Sequence, residues 1–427
     1  MAAATPASDT VLREPGRRRL VIAGVVGNVL EWYDFSVYGF FAPAIGANFF
    51  PSHSKSAELI AAFGVFAAGF LMRPIGAVLF GYIGDHRGRE KALMLSVLAM
   101  AVPTFLIGLL PTHAQVGALA AVLMVLLRLI QGLSVGGEYT TSIVFLIEQA
   151  NEGKRGVMGA YGVSGAYAGV MLGSAIGTVV AWHMPTAHLL AWGWRIPFLL
   201  GITIGIAGYL LRRELRFAEP PRHTAPPMME IVRSHWRRIL QVTGFKVLDA
   251  VGFYLMFVYS TTYLEEVVGL ARGRAMAINT IGMAGVLLVL PLAGRLSDRF
   301  GRKPILIASS AAVILFSMQL FNLLWHPVIS IPLVGQLGFA VIIATFNGAA
   351  PAAAVEAFPA SVRCSGVAIS HNLVMAIFGG TAPMVATYLI DRTGNEMAPP
   401  AYLIIAAIVS LLFILTLRET AHAPLAK

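Results

Sequence analysis

Seven charged residues stand inside otherwise apolar stretches of this chain: Glu31, Asp34, Arg73, Arg128, Glu138, Lys246 and Asp249. A charge at the middle of a hydrocarbon layer costs about 2.5–3.5 kcal/mol on insertion scales, so each needs a partner or a water-filled cavity, and such residues mark ion and substrate paths. Glu31 and Asp34 are three positions apart, which on a helix puts them on one face, with Asn28 on the same side. Two carboxylates held close repel when both ionise, an arrangement that favours retention of one proton and suits a proton carrier. A basic residue reaching the pair would instead keep it ionised until substrate or motion displaced the contact. Lys246 and Asp249 have the same spacing with opposite charges, and read either as a self-neutralising pair or as part of a ligand site. Arg73, followed by Pro74, reads as a packing anchor or a carboxylate ligand; Glu138 reads more as a support for its helix than as a cavity residue. Trp32, Tyr33, Tyr254, Tyr259 and Tyr263 lie near these charges along the chain. Their rings could cage a quaternary ammonium or pack against a small acid, although an aromatic near a span end is more often an interface anchor. His371 and Asn372, with Asn347, are further polar cavity candidates, and a lone histidine there is also explained as a hydrogen-bonded packing residue.

What must position these residues is a set of membrane spans. Hydrophobic residues make up 57% of the 427 and charged ones 12%, with a mean hydropathy of +0.75, a composition that water does not support. Apolar stretches of about 20 residues, each long enough to cross a hydrocarbon layer as a self-satisfied helix, recur along the length. Twelve are expected, at 20–44, 57–82, 91–110, 116–147, 156–182, 190–211, 237–264, 275–297, 304–325, 328–355, 364–390 and 400–418. Of 31 Lys and Arg, three fall inside spans (Arg73, Arg128, Lys246), five near one set of loops (Lys55, Arg195, Arg272, Arg274, Arg392) and the other 23 beside the other set. That bias predicts both termini on the cytoplasmic side. It also accounts for the net charge of +10 without a nucleic-acid partner. A first span holding Glu31 and Asp34 is not a cleavable signal, and the single cysteine, Cys364, allows neither an internal disulfide nor a cysteine metal cluster.

The chain is duplicated. GYIGDHRGREK begins at Gly81 and GRLSDRFGRK at Gly294, placing Asp85 and Asp298 213 residues apart; Glu148 precedes Arg155 by seven, and Glu356 precedes Arg363 by seven, with the glutamates 208 apart. Two landmarks at nearly one offset indicate six spans fused to six. The expected organisation is a tail (1–19), a six-helix bundle (20–211), a cytoplasmic linker (212–236), a second bundle (237–418) and a tail (419–427).

Both repeated loops resemble the signature loop of the major facilitator superfamily. GNVLEWYDFSVYGFF from Gly27, FLMRPIGAVLFGYIGD from Phe70, RLIQGLSVGGEY from Arg128 and WGWRIPF from Trp192 resemble its metabolite:proton symporters, among which are proline/betaine, α-ketoglutarate, citrate and shikimate carriers. The resemblance implies an all-α fold of two pseudo-symmetric bundles and transport by alternating access. It implies a proton-coupling set in which Asp34 faces Arg128 with Glu31 as auxiliary carrier. It implies a cytoplasmic gate of Gly81, Asp85, Arg89, Glu148, Arg155, Asp298, Arg302, Glu356 and Arg363.

Among function classes, an enzyme is disfavoured by the lack of a nucleotide loop, HExxH or GxSxG pattern, and a channel by the lack of a filter sequence. No cofactor is expected, since a proton moving down 100 mV yields about 2.3 kcal/mol, or roughly fifty-fold accumulation. The expected partners are a small substrate, protons and the lipid bilayer, with the monomer as working unit. Cationic Arg73, Arg128 and Lys246 favour a carboxylate-bearing metabolite, either a di- or tricarboxylate or a zwitterion such as proline or betaine, with export of a drug-like compound as the alternative.

Overall fold

The computed structural model describes residues 28–29, 31–87, 89–135, 138–214, 228–326 and 328–426. The side chains of Gly81, Asp85, Arg89 and Glu138 lie outside the described set, as do residues 1–27 and most of the linker.

The helices are α1 (31–40 and Ala42–Phe49), α2 (Lys55–Leu71, continued as Arg73–Arg87), α3 (Arg89–Leu109), α4 (Leu119–Ser134 and Glu138–Glu148), α5 (Arg155–His183) and α6 (Arg195–Glu214). The second set is α7 (Met228–Phe245, Val247–Tyr254, Leu255–Tyr259 and Ser260–Glu266), α8 (Arg272–Phe300), α9 (Arg302–Leu324), α10 (Ser330–Glu356), α11 (Arg363–Val374, Met375–Gly379 and Ala382–Thr393) and α12 (Ala398–Thr416). Among the described residues nine helices are long and apolar enough to span alone; the segment Thr186–Gly193 and the first part of α6, Arg195–Ala207, form a further pair bent by 49°, and α3 contributes the shorter apolar run Met94–Leu109. With α1, these follow in order the twelve apolar runs read from hydropathy. The boundaries differ most at α7, which begins at Met228, inside the segment expected to be linker, and bends at His235.

The faces follow from the solvent. Leu288, Trp182, Leu315, Leu412 and Ile405 are exposed, as a lipid-facing surface requires, whereas α7 is wholly buried across its most apolar stretch. Without a hydrophobic drive between helices in lipid, association relies on close backbone approach at small residues. The two halves meet this way along α5 and α8, where a Cβ at Gly156 would lie 2.6 Å from the Gly294 carbonyl. Polar contacts reinforce the seam: Ser174 donates to the Met276 carbonyl (3.2 Å) and Asn279 to Ser174 (3.2 Å). Two π-helical turns, at Leu255–Tyr259 and Met375–Gly379, interrupt α7 and α11 beside the buried charges; such turns re-aim side chains and recur at functional sites.

Candidate functional site

At the end of the molecule where the repeated loops lie, each landmark glutamate pairs with the arginine of the other half. Glu356 of α10 meets Arg155 of α5 at 2.9 Å, and Glu148 of α4 meets Arg363 of α11 at 2.6 Å. Arg302 is held from four sides: Asp298 at 2.8 Å, Ser297 Oγ at 2.9 Å, and both oxygens of Glu356 at 3.1 and 3.3 Å. Asp298 also accepts the backbone N–H of Gly156 (2.8 Å) and Val157 (3.0 Å), so a carboxylate of the second half caps the α5 N-terminus of the first. The glycine of this second signature loop has a structural cause, because Gly301 turns the chain between α8 and α9 with φ of 104°.

The carboxyl-terminal segment, expected as a plain tail, is docked on this network. Glu419 accepts the N–H groups of Arg302 and Lys303, each at 2.9 Å, and caps α9. Thr420 donates to Glu356 (2.6 Å), Arg155 to the carbonyls of Ala421 (3.2 Å) and Ala423 (2.6 Å), and Arg363 to Ala426 (2.6 Å). Partial burial alone would raise the Glu419 carboxyl, but the N–H groups of Arg302, Ala421, Lys303 and Thr420 outweigh it and hold it below its ordinary value of 4.5. At the opposite end Lys55 of α2 pairs with Glu266 of α7, and Phe63 meets Tyr259 at 5.8 Å. The halves are thus joined at both ends, with the membrane-buried charges between.

In that middle region each acid of α1 lies within electrostatic reach of a different arginine. Asp34 lies beside the Thr104 hydroxyl and within electrostatic reach of Arg128, and its Oδ1 meets no donor among the described residues. Glu31 is within reach of Arg73. Both arginines are almost fully inaccessible, Arg73 at 2% and Arg128 at 0%. Arg128 donates to Gln131 (3.0 Å), which donates in turn to Thr104 (2.6 Å). Yet Nε and one terminal nitrogen of each guanidinium have no acceptor among the described residues. What surrounds them is aromatic: Arg73 lies over Phe70 (4.2 Å), Phe35 (4.7 Å) and Trp32 (5.6 Å), and Arg128 over Tyr38 (4.2 Å), Phe35 (4.9 Å) and Phe66 (5.2 Å). Ring faces stabilise a guanidinium while leaving its N–H edge unsaturated.

From the second half, Lys246 Nζ lies 3.1 Å from Asp249 and 3.2 Å from His371 Nδ1. His371 packs at 5.0 Å on Tyr139 of α4, whose ring meets Trp32 at 5.4 Å. Tyr254 stacks on Trp32 at 6.4 Å, and Asn372 is buried beside His371. The other rings grouped by the sequence turn elsewhere. Tyr33 donates to the Pro197 carbonyl (2.8 Å) and Tyr263 to that of Glu396 (3.0 Å), both serving to tie helices together. The box of Phe35, Tyr38, Phe66 and Phe70 and the Gln131–Thr104 relay were not singled out from sequence. A signal existed in the i, i+4, i+7 run Phe66, Phe70, Arg73 on α2 and in Gln131 three residues after Arg128.

Residues 20–225 match the family model described as sugar (and other) transporter, and residues 242–427 match that of the major facilitator superfamily. A glycine betaine/proline/ectoine/pipecolic acid transporter of Dickeya dadantii is 35% identical over 98% of this chain and 86% of its own length. The proline/betaine transporter of Escherichia coli is 35% identical over 97% of this chain and 86% of its own length. An ectoine/proline transporter of Corynebacterium glutamicum is 33% identical over 98% of this chain and 87% of its own length. Among solved structures, a D-xylose–proton symporter superposes with a TM-score of 0.73 over 96% of this chain and 98% of that one, at 18% identity, which speaks for the fold.

Proposed function

This chain belongs to the major facilitator superfamily, in the branch of the metabolite:proton symporters, and from that premise we propose that it accumulates a small zwitterionic metabolite of the proline and glycine betaine type by proton symport. It is a multi-pass membrane transporter and not an enzyme. The observation that carries the substrate class is the pair of buried guanidinium groups with unsaturated N–H edges inside an aromatic box. Such an edge takes a carboxylate in charge-assisted, forked hydrogen bonds. The rings of Trp32, Tyr139, Phe253 and Tyr254, packed together beside Arg73, offer apolar and cation-attracting faces to the rest of the ligand.

Charge balance favours a zwitterion over a di- or tricarboxylate. Among the described side chains of the middle region, Arg73, Arg128 and Lys246 offset Glu31, Asp34 and Asp249. A net-neutral ligand preserves that balance while Asp34 is ionised, and neutralising Asp34 frees one cation for one carboxylate; each further carboxylate would need another cation, and Lys246 is already engaged by Asp249 and His371. Proline, betaine, ectoine and pipecolic acid, printed in the names of the relatives, each carry one carboxylate and one cationic group.

Coupling follows from the Asp34–Arg128 couple. While Asp34 is ionised it competes for Arg128; once a proton neutralises it, Arg128 is released to bind the substrate carboxylate, and the halves rock with both cargoes aboard. Loss of the proton on the other side restores the competition and expels the substrate. The end carrying the repeated loops is taken as cytoplasmic, on the strength of its basic residues. Glu138 is retained as a support of α4.

The test is uptake of labelled proline, glycine betaine, α-ketoglutarate and citrate into proteoliposomes under an imposed proton gradient, with and without a protonophore. Protonophore-sensitive accumulation of proline or betaine is the expected result. Accumulation of α-ketoglutarate or citrate alone would overturn the zwitterion reading, and gradient-driven extrusion would favour an exporter.

A further inference from the structure

We infer that His371 is the ligand by which the second half grips the substrate, and that Lys246 and Asp249 are its positioning residues. The inference rests on the function proposed above and adds a recognition element that the arginines of the first half do not supply.

The geometry fixes the tautomer. An ammonium offers only hydrogens, so at the 3.2 Å contact between Lys246 Nζ and His371 Nδ1 the ring nitrogen is the acceptor. A neutral ring that accepts at Nδ1 carries its proton on Nε2. That Nε2–H is buried, the residue being 3% exposed, and it meets no acceptor among the described residues. A buried donor left without an acceptor is costly and calls for an explanation; a ligand that supplies the acceptor in part of the working cycle provides one. Lys246 and Asp249 would neutralise each other without His371. The third contact is superfluous for charge balance and serves to orient the imidazole.

The ring also has the right neighbours. It packs on Tyr139, which packs on Trp32, and Trp32 lies under the Arg73 guanidinium. The charged and titratable groups around it are Lys246 and Asp249 from α7, Tyr139 from α4, and Arg73 from α2. A substrate carboxylate held by Arg73 and Arg128 from the first half would then have one neutral donor near it from the second, two ring contacts away from the ring under Arg73. Contact with both halves at once lets a bound substrate favour the closed, loaded state that must precede rocking. A donor that is neutral adds this grip without disturbing the balance of charges.

The experiment compares the wild type with His371→Leu, His371→Gln and the double variant Lys246→Met with Asp249→Asn. The readouts are KM, kcat and the proton-to-substrate ratio in proteoliposomes, using whichever of proline and betaine the wild type carries. His371→Leu is expected to raise KM by about tenfold or more, as loss of a hydrogen bond to a charged group does, with the proton ratio unchanged. His371→Gln, whose amide nitrogen reaches the place of Nε2, is expected to recover most of the affinity. The double variant keeps the charge balance and is expected to insert normally yet raise KM, because the imidazole has lost its orienting donor. An unchanged KM in His371→Leu alongside an active wild type would overturn this inference alone; a changed proton ratio at unchanged KM would make His371 a proton carrier instead. A wild type that carries neither compound would overturn the proposed function and this inference with it. Independently of transport, the 15N spectrum of labelled histidine should place the His371 proton on Nε2, and a proton on Nδ1 would overturn the assignment.

Discussion

The loop end and the middle of this transporter treat arginine in opposite ways. At the loop end Arg302 is bound by Asp298, Ser297 and both oxygens of Glu356, and Arg155 and Arg363 each have a glutamate of the other half together with backbone carbonyls of the docked tail. In the middle, Arg73 and Arg128 rest on aromatic rings with N–H groups unspent. The difference teaches what each region is built to do. A saturated network stabilises one arrangement and releases it only when the halves move apart; an unsaturated one is completed by a ligand.

That contrast can be broken at its strongest point first. Arg128→Lys keeps the charge but loses the planar fork and the ring stacking, and is expected to lower kcat/KM by about 100-fold, which follows from the loss of paired charge-assisted hydrogen bonds; near-normal transport would mean that Arg128 serves packing alone. Glu356→Gln attacks the saturated region. Removing the shared partner of Arg155 and Arg302 is expected to cost about 3–5 kcal/mol of stability, as breaking a buried pair does, read as a lowered midpoint of thermal denaturation in detergent. Glu148→Gln removes the symmetry-related partner, but Glu148 is 38% exposed, so a cost of about 0.5–1 kcal/mol is expected, within the range of exposed pairs. Equal effects at the two glutamates would deny that burial sets the strength of the two latches.

The smallest effect is expected at the tail. Glu419→Ala removes the cap of α9 and should cost about 0.5–1 kcal/mol, the low end for a helix cap, while increasing protease access to residues 419–426. Because the folded Glu419 carboxyl lies below its ordinary value, its contribution is present above 4.5 and is lost as pH falls through the depressed folded value. Protease access to the tail should therefore rise only in that acid window, and a transition near neutral pH would point to another group.

Much of this was legible in the sequence because lipid imposes strict rules on length and charge. The apolar runs gave the crossings, and the repeat at offsets of 213 and 208 gave the two halves. The same repeat did not reveal that the glutamates exchange partners. Glu148 with Arg155 and Glu356 with Arg363 look paired along the chain, yet each bond crosses to the other half, 215 residues away for Glu148 and Arg363. Periodicity assigns faces to helices but not which helices meet. For that reason the ring box of Phe35, Tyr38, Phe66 and Phe70, drawn from α1 and α2 around Arg128 of α4 and Arg73 of α2, required the fold. Glu31 and Asp34 illustrate the same limit: their spacing puts two acids on one face, and only the fold brings Arg73 within electrostatic reach of one and Arg128 within reach of the other. The docked tail had no sequence signal, since one glutamate after a span predicts no cap until its helix is placed beside it.

The central claim is that Asp34 converts a proton gradient into release of Arg128. Asp34→Asn, reconstituted in proteoliposomes, tests it directly by comparing proton-driven accumulation with gradient-free exchange of the same labelled compound. The account predicts that exchange persists, because the neutral side chain leaves Arg128 free for substrate, while accumulation against a concentration gradient is lost. A variant that still accumulates its substrate would contradict it.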